Sequence, residues 1–170
     1  RQITGRDWDY VFRRLFYAMT PDVASAPFGP WLELADRDET AGATRNCDLW
    51  VSADGTAHVL WIDVSTDARI RDRFFPGVEV RQSLEHAAVR GGRVVARRTL
   101  AALGQTEDGL QPELARFHAV VDGRTVILAQ FNRRPAPAGG PAVLYRATWL
   151  DDDDPQWVDV PFARPMGGTF

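Results

Sequence analysis

The 170-residue sequence contains no lysine, a single cysteine and no long apolar run, and each scarcity excludes a class of protein. Because Cys47 is the only cysteine, these residues form no internal disulfide and no cysteine metal cluster. A net charge of -3 gives no general attraction to nucleic acid, which binds to a basic face or stripe, and no apolar run approaches the ~20 residues that span a bilayer. We therefore expect neither nucleic acid nor a membrane as a partner.

The cationic residues are unusual in kind, because all 20 are arginines. Arginine suits planar anions such as carboxylate and sulfate, although GC-rich coding bias explains the same composition. The remaining composition, 45% hydrophobic and 25% charged, is ordinary for a globular chain of roughly one domain.

Two similar hairpins stand 68 residues apart, counted from Asp54 to Asp122. The first is CDLWVSADGTAHVLWID at 47–63, and the second is RFHAVVDGRTVILAQFN at 116–132. In each, two runs rich in β-branched and aromatic residues flank an Asp-Gly pair, which is typical of a hairpin turn. The predicted strand pairs are 47–52 with 56–62, and 117–121 with 124–131.

Each hairpin is followed by two further predicted strands, at 83–89 and 93–100 and at 142–150 and 156–162. The opening segment fits the second half of an earlier unit, with strands near 10–20 and 31–35. Helical spacing of its apolar residues also permits an amphipathic helix over 7–19. The sequence thus predicts two consecutive four-stranded meanders preceded by half of another.

The second strand of each unit is apolar on both faces. Val59 and Trp61 face one way and Leu60 and Ile62 the other. Such a sheet must be covered on both sides, and sheets stacked around an axis, as in a β-propeller, provide that cover. A period above ~40 residues is typical of the same architecture, whereas the alternative, a β-sandwich, leaves one side of each sheet exposed to water.

We therefore predict an all-β chain that forms part of a β-propeller of four-stranded antiparallel blades, with about two and a half blades present. The predicted division is a half blade at 1–36, blades at 45–100 and 114–162, and the start of another strand at 166–170. Propellers close with at least ~4 blades. The remaining blades are expected from the same, longer chain or, alternatively, from other chains.

The segment LFYAMTPDVASAPFGPWLEL resembles a degenerate Asp-box, with matching positions at Tyr17, Thr20, Asp22, Phe28 and Trp31. It lacks the motif's Gly-Gly and has a longer turn, and the corresponding turns at 90–93 and 151–155 lack the motif. Across nearly its whole length, the chain is similar to bacterial BNR-repeat, sialidase-like propeller proteins, a group that includes ulvan-lyase-like polysaccharide enzymes. This resemblance implies a secreted or periplasmic, carbohydrate-active protein.

Arginines near the expected functional face are the candidates for binding an acidic sugar. In sialidase-like propellers, that face is lined by the loops between second and third strands and between blades. A guanidinium binds both oxygens of a carboxylate or sulfate at once. The candidate substrate-binding residues are Arg45, Asn46, Arg116, Arg71 and Arg133. We expect Arg45 and Arg116 to occupy corresponding places, with His118 beside them as a catalytic base, since imidazole accepts a proton at neutral pH.

Two hypotheses for function follow. In the first, the chain belongs to an enzyme that cleaves acidic polysaccharide, as a lyase or glycoside hydrolase. In the second, the same arginines only bind, in a glycan-binding or scaffold propeller. A structural alternative is that the arginines form rim salt bridges with nearby carboxylates, namely Asp36, Asp38, Asp67, Asp72 or Glu113.

The remaining polar candidates are expected to be structural. The acidic run at 151–154 is predicted to be a solvated turn, although carboxylates this close bind Ca²⁺ weakly in some proteins. His58, His86 and Tyr145 are predicted to pack within and between the sheets. No cofactor is predicted.

Overall fold

The computed structural model describes residues 11–119, 123–138 and 142–162. In these ranges the chain is almost entirely β, with ten strands and one short helix, α1 (Ala68–Phe74). The strands are β1 (Arg14–Tyr17), β2 (Leu32–Asp36), β3 (Ala43–Val51), β4 (Ala57–Val64), β5 (Arg81–Arg90), β6 (Arg93–Gly104), β7 (Gly109–Ala119), β8 (Thr125–Arg134), β9 (Val143–Trp149) and β10 (Val158–Asp159).

The strands form three antiparallel sheets that follow the order of the chain. A two-stranded sheet of β1 and β2 is followed by a four-stranded sheet of β3 to β6 and another of β7 to β10. The two predicted meanders are therefore confirmed as sheets. At the first hairpin, Gly55 has a φ of 80°, a left-handed conformation that glycine adopts without strain. Asp122 of the second hairpin lies outside the described residues, as do residues 166–170.

The structure corrects several strand boundaries. The first strand of each four-stranded sheet begins earlier than predicted, β3 at Ala43 and β7 at Gly109, because backbone pairing continues through polar residues that the apolar pattern does not mark. The last strand is much shorter, since only Val158 and Asp159 pair with β9. Residues 11–19 contain no helix, and the part of the predicted 7–19 helix before residue 11 lies outside the described residues.

The middle sheet is covered on both faces. On one face, Leu60 packs with Ile127 in a core shared with the third sheet. On the other face, Val59 and Trp61 pack with Leu34 of the two-stranded sheet. This arrangement confirms that β4 is apolar on both sides.

The cover from the two-stranded sheet is incomplete. Leu49 and Val51 of β3 pair with Val59 and Ala57 and share their face of the middle sheet. Their neighbours on β4 are buried, yet Leu49 and Val51 are 55% and 56% exposed. The two strands β1 and β2 thus cover the centre of the middle sheet and leave its first strand open.

The helix α1 lies in the connection between β4 and β5. Asp67 caps its first turn by accepting a hydrogen bond from the backbone N of Arg69 at 2.9 Å. Among the described residues, no helix is both long enough and apolar enough to cross a membrane.

Candidate functional site

The meanders place alternate connections at opposite ends of the sheets. We call one end the loop end; it carries the connections from β2 to β3, β4 to β5, β6 to β7 and β8 to β9. The other, the hairpin end, carries the connections from β3 to β4, β5 to β6, β7 to β8 and β9 to β10. The loop end corresponds to the face predicted to be functional.

Four of the predicted site residues lie towards the loop end. Arg45 and Asn46 are exposed near the start of β3, Arg71 lies in α1, and Arg133 is exposed near the end of β8. Of these four, Arg133 lines the cleft described below, whereas Arg45 and Arg71 have acidic partners.

Arg45 spans the two four-stranded sheets. Its Nη2 donates to the carboxylate of Glu113 at 3.0 Å and to the Glu113 carbonyl at 2.5 Å. Arg71 donates its Nε to the carbonyl of Val78 at 2.9 Å and pairs with Asp72. These contacts are the rim salt bridges that the sequence offered as an alternative.

Arg45 and Arg116 do not occupy corresponding places on their strands, and His118 does not lie at the loop end, so these two predictions are wrong. Because β7 begins at Gly109, Arg116 lies in mid-strand opposite Leu128, and His118 lies at the hairpin end opposite Val126. On the middle sheet, the residue opposite Leu60 is Asp48, so Asp48 and not Arg45 is the counterpart of Arg116.

A cleft at the loop end of the third sheet has a volume of about 520 Å³. Three arginines line it, Arg133, Arg134 and Arg146, together with the carboxylates of Asp108 and Asp159. The apolar part of the lining includes Leu110, Pro135 and Leu144. The volume falls within the range of small-ligand sites, and the lining is rich in charged residues.

The three arginines that line the cleft differ in their hydrogen-bond partners. Arg134 donates to the Oε1 of Gln111 and to the carbonyl of Gln105, both at 2.6 Å, so its partners are neutral. Arg146 donates to Asp159 at 2.8 Å. Arg133 is exposed, and its guanidinium has no partner among the residues that the structure describes. Arg134 and Gln111 lie on one face of the third sheet, and Arg133 lies on the other face opposite Leu110, so Arg133 is the arginine that offers the cleft a free guanidinium.

A partly buried ion pair was missed by the sequence reasoning. Asp63, 3% exposed, accepts hydrogen bonds from the Nε of Arg37 at 3.0 and 2.9 Å, which raise the pKa of that arginine. The sequence contains a signal for this pair, because an acidic residue, Asp63, interrupts the apolar run of β4. Glu85, also buried, accepts hydrogen bonds from Ser83 and Thr99.

The acidic turn at 151–154 is engaged by an arginine. Arg124 donates to Asp151 at 3.0 and 2.7 Å and to Asp152 at 3.2 Å, and it lies 4.1 Å from the ring centroid of Trp149. The hydrogen bond from Arg124 lowers the pKa of Asp151. In the part of the chain that the structure describes, no group of three His, Cys, Asp or Glu side chains is placed to hold a metal ion.

The residues of the Asp-box resemblance organise the turn between β1 and β2. Thr20 donates to the carbonyl of Ala26 at 3.0 Å, and Asp22 accepts from the backbone N of Ala24 at 2.9 Å. The hydrogen bond from the Ser25 hydroxyl and, to a smaller extent, that from the Ala24 backbone N lower the pKa of the Asp22 carboxyl. Thr20 and Asp22 therefore have a structural role in this turn.

The chain matches no family model, no curated protein and no solved structure. The resemblance to BNR-repeat propellers therefore stays a prediction from the sequence.

Proposed function

We propose that the three sheets belong to a β-propeller of the BNR-repeat, sialidase-like type. Two features support this proposal. Consecutive meanders pack face to face, which covers the middle sheet on both sides, unlike the sheets of a sandwich. The first strands of the two four-stranded sheets also lie side by side, since Asp48 Oδ2 accepts from the backbone N of Phe117 at 2.8 Å.

Within this architecture, we propose that the protein binds an acidic carbohydrate in the arginine-lined cleft of the third sheet. The observation that carries this proposal is Arg133, which lines the cleft and whose guanidinium has no partner among the described residues. A sugar carboxylate or sulfate supplies the bidentate acceptor that a free guanidinium lacks. Secretion to the cell exterior or periplasm is part of the same proposal.

Binding without cleavage is the form of this function that the geometry favours. The cleft lies at the loop end, whereas His118, the proposed catalytic base, lies at the hairpin end of β7. A general base must come within hydrogen-bond reach of the proton that it removes. Cleavage of acidic polysaccharide by His118 would require a different site from the cleft.

The test is the affinity of the chain for uronate-containing and sulfated oligosaccharides, measured by isothermal titration calorimetry. Arg133→Ala removes a charge-assisted bond of about 1.5–3 kcal/mol, so we expect affinity to fall about tenfold or more. Arg93→Ala is the matched control, because it removes an exposed arginine at the hairpin end. It should leave affinity unchanged.

Three results would overturn the proposal of binding alone. The first is that Arg133→Ala and the unchanged chain bind the acidic oligosaccharide with equal affinity. The second is that the unchanged chain binds a neutral glucan of the same length as tightly as the acidic oligosaccharide. The third is the release of unsaturated products that absorb in the ultraviolet, or of new reducing ends, which would restore the enzyme hypothesis.

A further inference from the structure

Two histidines meet within the contact between the two four-stranded sheets. The Nδ1 of His58 lies 3.1 Å from the Nε2 of His86. The ring planes differ by only 8°, with centroids 5.3 Å apart, which together with the short nitrogen–nitrogen distance describes two nearly coplanar rings joined end to end. The rings therefore share one N–H···N hydrogen bond, in which one nitrogen donates and the other accepts.

The surroundings of this pair are aromatic and apolar, with one cation. Trp50 lies beside His58, at a ring distance of 5.3 Å, and Phe117 of β7 lies 6.3 and 6.5 Å from the two histidine rings. Arg98 of β6 is paired with His86 across the sheet. We call these five residues the histidine joint.

The charged groups that face the joint do not neutralise added protons. The guanidinium of Arg98 donates to the carbonyls of Leu150 and Asp152, and among the described residues it forms no salt bridge. The nearby carboxylate of Asp151, whose pKa Arg98 helps to lower, is hydrogen-bonded to Arg124. The Asp152 side chain binds Arg124 instead, and Asp48 accepts from the backbone of Phe117. Arg116 and His118, which flank Phe117, point to the other face of their sheet. Among the described residues, no carboxylate contacts either histidine.

We infer that the contact between the two four-stranded sheets is an acid-sensitive joint, which opens when the histidine pair takes up protons. With both rings protonated, both facing nitrogens become donors and the hydrogen bond between them is lost. The Nδ1 of His86 is buried and has no partner among the described residues, so a proton placed there is not stabilised either. Protons therefore enter the pair as the joint opens to water. This inference does not rest on the proposed glycan binding.

The direction of the pH effect follows from the two states. Burial, with the charges of His58 and Arg98, lowers the pKa of His86 to about 3 in the closed joint. Burial, with Arg98, also lowers the pKa of His58. In the open joint, each histidine regains a pKa near ~6.5. The open state therefore binds more protons, and it is favoured as the pH falls below ~6.5.

Cys47 reports on this opening, because it is the only cysteine and lies in the core that the two sheets share, 4% exposed. Its reaction with an aromatic disulfide that remains reactive at acid pH measures access of solvent to the core. Each rate is divided by the rate for the same chain in denaturant at the same pH. Between pH 7 and 5.5, above the range in which carboxylates titrate, the normalised rate should rise about eightfold through His86 alone.

Variants identify the groups responsible. In His86→Gln, the rise in the normalised rate between pH 7 and 5.5 should be about eightfold smaller than in the unchanged chain, because glutamine remains neutral. In His58→Gln, the rise should also be reduced for the same reason. His118→Gln is the matched control: it removes the third and last histidine of the chain, which is exposed, and should leave the rise intact. If His86→Gln loses its far-ultraviolet circular dichroism, His58→Gln replaces it as the test, because His58 is only partly buried.

Three results would overturn the inference. One is a normalised rate in the unchanged chain that is the same at pH 7 and pH 5.5. Another is an equal rise in the unchanged chain and in both joint variants. The last is loss of far-ultraviolet circular dichroism over the same pH range as the rise, which would show unfolding of the sheets and not opening between them.

Discussion

Asp48 connects the first strands of the two four-stranded sheets, and its removal should be measurable at one amide. Its Oδ2 accepts from the backbone N of Phe117 at 2.8 Å, and its Oδ1 accepts from the N of Leu49 at 2.9 Å. Hydrogen bonds to charged groups contribute about 1.5–3 kcal/mol. Asp48 and Phe117 are only partly buried, so water replaces part of the loss. We expect Asp48→Ala to reduce the free energy of unfolding by about 1.5–2 kcal/mol.

The assay combines urea denaturation with amide hydrogen exchange at Phe117. The exchange rate of that amide should rise about tenfold, the equivalent of 1.4 kcal/mol. Asp48→Asn keeps an acceptor oxygen but loses the charge, so its exchange rate at Phe117 should lie between those of the unchanged chain and Asp48→Ala. Asp72→Ala is the control, because Asp72 is 88% exposed and should change the free energy of unfolding by less than about 0.5 kcal/mol. An unchanged exchange rate at Phe117 in Asp48→Ala would refute the reasoning.

Two further predictions concern packing and turn structure. Leu60→Ala empties part of the core between the four-stranded sheets and should cost about 3–5 kcal/mol in urea denaturation, whereas Leu49→Ala, at a half-exposed site, should cost less than about 1 kcal/mol. Equal costs would show that Leu49 is covered in solution. Asp22→Ala removes the acceptor for the Ala24 amide and should speed proteolytic cleavage within 18–31; unchanged cleavage would contradict the role given to this turn.

The strand order was predictable because local chemistry determines it. Val59 and Trp61 alternate with Leu60 along β4, and this alternation places each on the face where the structure buries it. The turn at Gly55 requires a positive φ that the sequence supplies with glycine. Patterns of this kind depend on neighbouring residues alone.

The site was less predictable because strand ends and charge partners depend on distant residues. β7 begins at Gly109 because β8 offers it a backbone partner as far as Arg134. His118 therefore lies near the end of the strand, at the hairpin end, and not at its start. Arg45 finds Glu113, 68 residues away, across two sheets. The cleft around Arg133 likewise depends on Arg146, which the third strand of the sheet supplies.

The order of the sheets along the chain also affects how the protein is made. Domains begin to fold from the N-terminal side while synthesis continues, and each sheet here uses only consecutive strands, which keeps its pairing local. The middle sheet can therefore pair its strands before the third sheet leaves the ribosome. Its apolar face around Leu60 then remains exposed to solvent until β8 is synthesised and Ile127 packs against it. During that interval, the nascent chain presents the surface that chaperones bind.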